Sequence, residues 1–402
     1  MNAFHSVTDA PGRLAGEASL GKDAKSHPTF ENWVFGEPGT GEIIPVVQDR
    51  QGNVKPAFDL VKVHLERFAI HSAVRRILMS WRVSNCLRAF APVRGGSFEH
   101  PEVWRSAKHG GCRYHKLLVC ASVWVCPNCA ATISERRRAE LKTAIDAHRA
   151  NGGEVYLLTL TNPHTASDSL HGVLEAQAKA MTRFHSQRAS VAFWNDIGSI
   201  GTVRAWEVTH GQNGWHPHFH ILIFARFGLN LPDLEDRLHD LWANACRLAG
   251  LRTPSREHGV TFQDGDEAGA YASKWGLESE LTKGHTKKAS KGRTPFDLLR
   301  SYLYDDDRQA AALFRDFAHS FKGKRQLVWS RGLKAQFQVE EQTDEECVTK
   351  LDEGASLIGR IQFEDWRLIL KADARGDVLE LARFGWEPVE RFLSELRRGV
   401  SK

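Results

Sequence analysis

The stretch Trp215-His216-Pro217-His218-Phe219-His220-Ile221-Leu222-Ile223-Phe224 decides how the rest of the chain is read. Side chains in a β-strand point to opposite faces in turn, so His216, His218 and His220 share one face. The apolar run after them marks a strand that enters a core. Pro217 has no N–H to give a ladder and belongs near the strand's start. Three imidazoles converging on one face can hold a divalent metal. The plainer alternative is a strand whose histidines are merely solvated.

Working outward, Gly211-Gln212-Asn213-Gly214 is a turn signal that joins this strand to an earlier one over residues 201–209. If those four residues form the loop, His210 faces Trp215, Thr209 faces His216 and Glu207 faces His218. Glu207 then offers the carboxylate that a hard cation prefers beside two imidazoles. A slip of one residue would turn it to the other face. Further out lie a buried strand over 154–161, a helix over 168–188, a helix over 231–249 and a short strand over 259–262. A last helix covers 265–281. Pro232 suits a first helical turn and Gly250 an end. The order β-α-β-β-α-β predicts an α+β, ferredoxin-like sandwich: an antiparallel sheet with helices on one side. Its first and third strands are central neighbours, which brings Thr159 and Thr161 beside the histidines. On the last helix, Glu267, Tyr271 and Lys274 stand at i, i+4 and i+7 and share a face. A phenol ionises near pH ~10, so Tyr271 needs a nearby ammonium or a polarised substrate to act as a nucleophile.

Seven cysteines in 402 residues do not form a disulfide framework, and their clustering points to metal. Cys126-Pro127-Asn128-Cys129 presents two thiolates from a tight turn, and Cys120 lies just upstream. Zinc takes four such ligands. Cys86 is favoured as the fourth, with Cys112 and His115 as rivals; a redox-active thiol pair is the alternative to zinc. A helix from about 130 to 149 carries Arg136-Arg137-Arg138, which suits either phosphate contact or a solvated face.

The net charge of +5 permits nucleic-acid binding without demanding it, and some of the twelve tryptophans are available for stacking. No apolar run has transmembrane length and no signal peptide opens the chain, so a cytoplasmic protein without a membrane partner is expected. The segments expected are a flexible lead-in over 1–55, a helix (57–82) plus Cys-rich module over 56–150, a core over 151–283, a basic loop over 284–295 and a mostly helical region over 296–402. The last comprises helical stretches at 296–320 and 355–398, with Phe321 to Leu333 between them. The phosphate-loop look-alike at Gly16 to Lys22 is followed by Asp23 and preceded by no strand, which rules it out. Asp305-Asp306-Asp307 reads as an exposed acidic turn.

These motifs resemble the Rep initiators of rolling-circle plasmids, in the HUH endonuclease superfamily. Leu158-Thr159-Leu160-Thr161 resembles the first family motif, His218-Phe219-His220 the second and Tyr271-Ala272-Ser273-Lys274 the third. The cysteines around Cys120, Cys126 and Cys129 look like those preceding the core in one branch. The resemblance covers residues 86 to 335 and includes Trp329-Ser330-Arg331-Gly332-Leu333. Trp275 stands where a second tyrosine would be, which points to the single-tyrosine branch.

The resemblance implies a zinc-binding module, an HUH core and a helical C-terminal region. His218, His220, Glu207 and His216 would gather around Mg²⁺ or Mn²⁺, with Zn²⁺ on the cysteines and Thr159 and Thr161 near DNA. Tyr271 would attack a phosphate of single-stranded origin DNA, freeing a 3′ hydroxyl for a host polymerase, with a host helicase to unwind. Lys274 would stabilise the phenolate or touch the phosphate. Glu267, with Asp266 as a rival, would activate water to end the cycle. Related alternatives are a transposase or a relaxase. Alternatives of other classes are a zinc-stabilised DNA-binding regulator without catalysis and a small-molecule metallohydrolase. Oligomeric state is open.

Overall fold

The computed structural model describes residues 46–48, 54–56, 58–92, 97–274 and 292–400. The expected lead-in, apart from the pairing of β1 (Val46–Gln48) with β2 (Val54–Pro56), lies outside these residues. So do the look-alike at 16–22, the stretch of the last core helix beyond Lys274, and the basic loop up to residue 291.

Chain order runs through α1 (Phe58–Ile77), β3 (Glu102–Arg105), β4 (Cys112–His115), α2 (Pro127–Ala150), β5 (Glu154–Leu160), α3 (Leu170–Ser186) and α4 (Arg188–Asp196). It continues with β6 (Ser199–Gly211), β7 (Gly214–Ala225), α5 (Leu231–Leu248), β8 (Val260–Gln263) and α6 (Gly265–Lys274). The C-terminal part holds α7 (Pro295–Tyr304), α8 (Arg308–Phe321), β9 (Leu327–Trp329), α9 (Leu333–Gln336), α10 (Asp344–Thr349), β10 (Ser356–Arg360), α11 (Phe363–Ala372), α12 (Arg375–Ala382) and α13 (Trp386–Val400).

The protein is α+β, and its main sheet has five strands in the order β8-β5-β7-β6-β9, each antiparallel to its neighbours. The β6–β7 hairpin turns on Gln212-Asn213 and holds the register expected from the turn, with His210 opposite Trp215, Thr209 opposite His216 and Glu207 opposite His218. Gly214 closes the turn at φ +83°, where a side chain would be strained, and a Cβ there would come within 2.9 Å of Ala166. Pro217 lies beyond Phe219, the last residue of β7 paired with β5. That flank of the strand has no partner strand, so the missing N–H costs no ladder bond.

Alternation along β7 divides two cores. Phe219, Ile221 and Ile223 pack with α3, α5 and the aromatic face of α8. Leu222 and Phe224, on the histidine face, pack with Leu141, Ala144 and Ile145 of α2 and with Ala268 and Ala272 of α6. Helices therefore cover both faces, where the sequence reading placed them on one. The difference arises because α2 is long enough to reach past the cysteines and lie across the sheet.

The C-terminal region differs from the expected run of helices. Ser356–Arg360 is a strand that pairs with β3, and β3 pairs with β4, so residues 102–115 and 356–360 share one sheet. Its core joins Val103, Tyr114, Ile361, Trp366 and Phe392. The helix expected over 296–320 is broken where Asp307 caps α8 by accepting from the Ala310 amide at 2.9 Å. The arginine run of α2 is turned inward. Arg136 holds the Cys347 carbonyl and Asp352, while Arg137 holds Glu140, the Gln342 carbonyl and Asp344. Two of these arginines thus clamp the segment that leads to β10.

Candidate active site

Pairing of β6 with β7 sets Glu207 directly across from His218, and pairing of β5 with β7 sets Thr159 across from His220. The side chains of Glu207, His218 and His220 converge, with one donor atom of each within 4.8 Å of the others. Glu207 Oε2 lies 3.3 Å from His220 Nε2 and 3.6 Å from His218 Nε2. Neighbouring donors around an octahedral cation with bonds of about 2.1 Å sit about 3 Å apart, so the group fits a hard divalent ion with small adjustment.

The outer nitrogens of both rings are engaged. His218 Nδ1 lies 3.3 Å from the His216 carbonyl, which can only accept, so Nδ1 carries a proton and Nε2 is the nitrogen turned to Glu207. His220 Nδ1 lies 2.9 Å from the Thr159 hydroxyl. Burial pushes the Glu207 carboxyl up. Hydrogen bonds and charge from His218 and His220 outweigh it and hold the group well below the usual carboxylate range.

Tyr271 completes the group from the helix side. Asp264 accepts from the backbone N–H groups of Asp266 and Glu267 and starts α6, while Ala268 and Ala272 bury that helix against the sheet. Tyr271 lies between the two alanines in sequence and is half-buried. Its hydroxyl donates to Glu207 Oε1 at 3.0 Å, and its ring lies 4.7 Å from that of His220.

Other candidates are placed differently. His216 lies off the group: its ring stacks on His218, and its Nδ1 is 3.3 Å from Nδ1 of His164. Burial, then His218 and His164, pushes the His216 imidazole down to about 4. Thr161 donates to the His258 carbonyl at 2.5 Å and so turns away from the histidines. Glu267 is exposed on the first turn of α6, outside the Glu207–His218–His220 group, as is its rival Asp266. Lys274 ends the described part of α6, and its side chain lies outside the described residues.

Sequence reasoning missed His164 and Gln177. His164 follows β5 in an Asn-Pro-His segment without regular structure and has no periodic signal. Gln177 is buried on α3 and donates to Asn162 Oδ1 and to the Pro217 carbonyl, each at 2.7 Å, while its own oxygen accepts from the Trp206 indole at 3.1 Å. It fixes the histidine strand from behind. Only the mid-helix position of a polar residue among apolar ones hinted at it.

The thiols of Cys86, Cys120, Cys126 and Cys129 form a second group within 4.8 Å. Sulfur separations are 3.5 Å for Cys86–Cys129 and 3.7 Å for both Cys120–Cys129 and Cys86–Cys126. A tetrahedron with Zn–S bonds of about 2.3 Å puts its sulfurs about 3.8 Å apart, so the spacing fits zinc. Disulfide sulfurs would sit near ~2.05 Å. Backbone amides of Cys120 and Cys129 point at the Cys86 and Cys126 sulfurs, at 3.3 and 3.5 Å. Cys112 and His115 fall on β4 outside this cluster, and Cys112 belongs to the other core.

A sheet that gathers a carboxylate, two imidazoles and a helix-borne tyrosine, next to a closed nest of four thiols, defines an α+β protein with two places fit for metal. Residues 112–371 match the family model described as replication protein. The chain belongs to that family. It is 26% identical over 349 residues to "Protein rep" of Streptomyces lividans, covering 68% of this chain and 73% of that one. It is 33% identical over 173 residues to a Streptomyces cyanogenus protein named "Neomycin resistance protein", covering 37% of each. No solved structure matches. Among the described residues, no helix is long and apolar enough to cross a membrane.

Proposed function

We propose that this replication protein initiates plasmid replication by nicking one strand of its origin through a tyrosine transesterification. The observation that carries the reading is the Tyr271 hydroxyl, 3.0 Å from the carboxylate whose other oxygen faces both imidazoles. The strand order supports a ferredoxin-like HUH core, since β8-β5-β7-β6 is the 4-1-3-2 order of that sandwich.

Glu207, His218 and His220 would hold Mg²⁺ or Mn²⁺, and such an ion would supply positive charge to the scissile phosphate. Glu207 orients the Tyr271 hydroxyl. The phenol oxygen attacks phosphorus and releases its proton to water. The bond from phosphorus to the 3′ oxygen breaks, that oxygen takes up a proton, and the 5′ end stays on Tyr271. The phosphoester is exchanged rather than hydrolysed, so rejoining needs no nucleotide cofactor. Lys274 stabilises the phenolate or contacts the phosphate, Thr159 supports His220, and Thr161 holds the strand end near the DNA. His216 flanks the ligand set. Glu267 serves the closing cleavage as base for a water. Zn²⁺ on Cys86, Cys120, Cys126 and Cys129 is structural. The partners are single-stranded and origin DNA, a host helicase and a host polymerase, in the cytoplasm.

The test is incubation with labelled single-stranded origin DNA and Mn²⁺, followed by denaturing electrophoresis. Wild type yields a covalent protein–DNA adduct. Tyr271→Phe binds the strand but yields none, because the lost hydroxyl contributes little contact area. A covalent 5′ end on the Phe variant would place the nucleophile elsewhere. Binding without any nick would favour a DNA-binding regulator, and nicking only at transfer origins or element ends a relaxase or transposase.

A further inference from the structure

A cleft of about 460 Å³, lined by none of Glu207, His218, His220 and Tyr271, opens between the end of α1, the cysteine loop and the end of α8. Its walls include Trp81, Arg82, Ser122, Trp124, Phe321 and Lys322. Both indoles are half-buried and held in place. The Trp124 N–H donates to the Lys324 carbonyl at 2.7 Å, and its ring leans on Phe321 with centroids 4.4 Å apart. Trp81 meets His319 edge-on at 5.1 Å, and the Lys322 ammonium lies 5.0 Å from its ring centre.

The rim is basic. Lys322 lines the cleft, and Lys324 and Arg325 follow it in the turn just outside the lining, the Lys324 ammonium 5.3 Å from the Trp206 ring centre; none of the three has a carboxylate partner among the described residues. Arg82 is paired with Glu345 at 3.0 Å, and both are largely exposed. A surface ion pair of this kind contributes little and exchanges readily for a phosphate. The basic turn is also tied to the active-site strand: the Trp206 amide donates to the Gln326 carbonyl, one residue from Glu207. Cys120 lines the cleft as well, so the zinc cluster shapes one wall.

Aromatic faces beside unpaired cations suit single-stranded nucleic acid, in which bases stack and phosphates need neutralising. We propose that this cleft takes one unpaired DNA base against Trp81 and Trp124, with the neighbouring phosphates carried by Lys322, Lys324 and Arg325. It is a second DNA contact that keeps hold of the strand flanking the nick, and it rests on the nicking reading above. The strand leaves the metal site past the β6 side of the sheet and is caught at the cleft.

The experiment uses the zinc-loaded full chain in a Tyr271→Phe background, where no covalent capture can occur. Single strands from the protein's own origin, each with one abasic position, are titrated by fluorescence anisotropy. One abasic position weakens wild-type-cleft binding roughly tenfold. Trp81→Ala causes a similar loss with the intact strand and then becomes indifferent to that abasic position. Trp81→Phe keeps most of the affinity, because the phenyl ring still stacks. Zinc content and melting temperature serve as fold controls, and if Trp81→Ala fails them, Lys322→Gln with Lys324→Gln takes its place and must weaken binding while flattening its salt dependence. Trp81→Ala that folds and binds as tightly as its parent overturns this inference alone. A protein that holds no single strand under any of these conditions overturns both it and the nicking reading.

Discussion

The four thiols and the Glu207–His218–His220 group are built of opposite materials. The thiols are soft ligands sunk between α1 and α2, with Cys86, Cys126 and Cys129 buried among Val83, Val119 and Val125. Four protein ligands close a zinc tetrahedron and leave no place for a substrate. The other group has three ligands, two of them imidazoles and one a carboxylate. Glu207 keeps 41% of its side-chain exposure, and a tyrosine stands at the edge. An incomplete shell with an accessible side is what catalysis needs, while a complete one serves the fold. On the proposed reading, stability belongs to the metal that the thiols could hold and chemistry to the one that the Glu207 group could hold, and each half is open to separate attack.

The largest effect belongs to the thiols. Freshly purified protein should carry about one tightly held zinc per chain. Structural zinc sites contribute on the order of 10 kcal/mol, comparable with the whole stability of a domain. Cys86→Ser, or prolonged chelation, should therefore unfold the region around α1 and α2 cooperatively, as read by circular dichroism and melting. A zinc-free protein that keeps its melting transition would end the structural assignment.

Next comes the open site. His220→Ala and Glu207→Gln should each lose detectable nicking while keeping zinc and melting within a few degrees of wild type. Their affinity for Mn²⁺, measured by direct binding rather than by nicking, should fall beyond the roughly 10–100-fold that loss of a supporting partner costs. Variants that unfold would mean that this group, too, is structural. A Glu207→Gln enzyme with unchanged metal dependence would remove Glu207 from the ligand set.

A smaller effect separates ligand from support. Thr159→Val keeps the size and the strand propensity of the side chain but removes the hydroxyl 2.9 Å from His220 Nδ1. Mn²⁺ dependence should shift by roughly 10-fold, with the nick still made at saturating metal. No shift would mean that packing alone orients the His220 ring.

The sequence carries some of this geometry openly and hides the rest. The hairpin register follows from four turn residues, because a two-residue loop fixes every pair behind it, including Glu207 with His218. Thr159 beside His220 follows from strand order. Cys86 is separated from Cys120 by more than thirty residues, yet tetrahedral zinc demands a fourth ligand, so its place was open to inference. The β3–β4–β10 sheet was not legible. Its strands have only four or five residues, and β10 comes from the far end of the chain, so no local period marks the pairing. The inward turn of Arg136 and Arg137 was hidden as well, since their partners near Gln342 and Asp352 are fixed by that same distant pairing. The contact between Tyr271 and Glu207 depends on how α6 lies across the sheet, which a helical pattern cannot give.

The smallest effect on the first nick, and the most particular on the products, should come from Glu267. On the proposed mechanism, replication around a circle needs a second cleavage when the fork returns, and by then Tyr271 is occupied. Among the described residues, Tyr271 is the tyrosine of α6, so a second nucleophile must come from water or from another copy. Glu267 stands one turn earlier on that helix, exposed, with its backbone fixed by the Asp264 cap. Exposure leaves its carboxylate free to take a proton from water near the same phosphate, the general-base role proposed for it. It stands apart from the Glu207 group, so the first cleavage should not need it. Glu267→Gln should therefore nick and form the Tyr271 adduct within about twofold of wild type, a change small beside the 10²–10⁴-fold that general bases contribute to their own step. In a full replication assay it should accumulate strands longer than unit length. Asp266→Asn is the control, since it lies more than a quarter turn, about 140°, around the helix from the tyrosine. Normal termination by Glu267→Gln would pass the second cleavage to the tyrosine of a second copy, and diluting wild type with Tyr271→Phe would then lower the yield of unit-length circles.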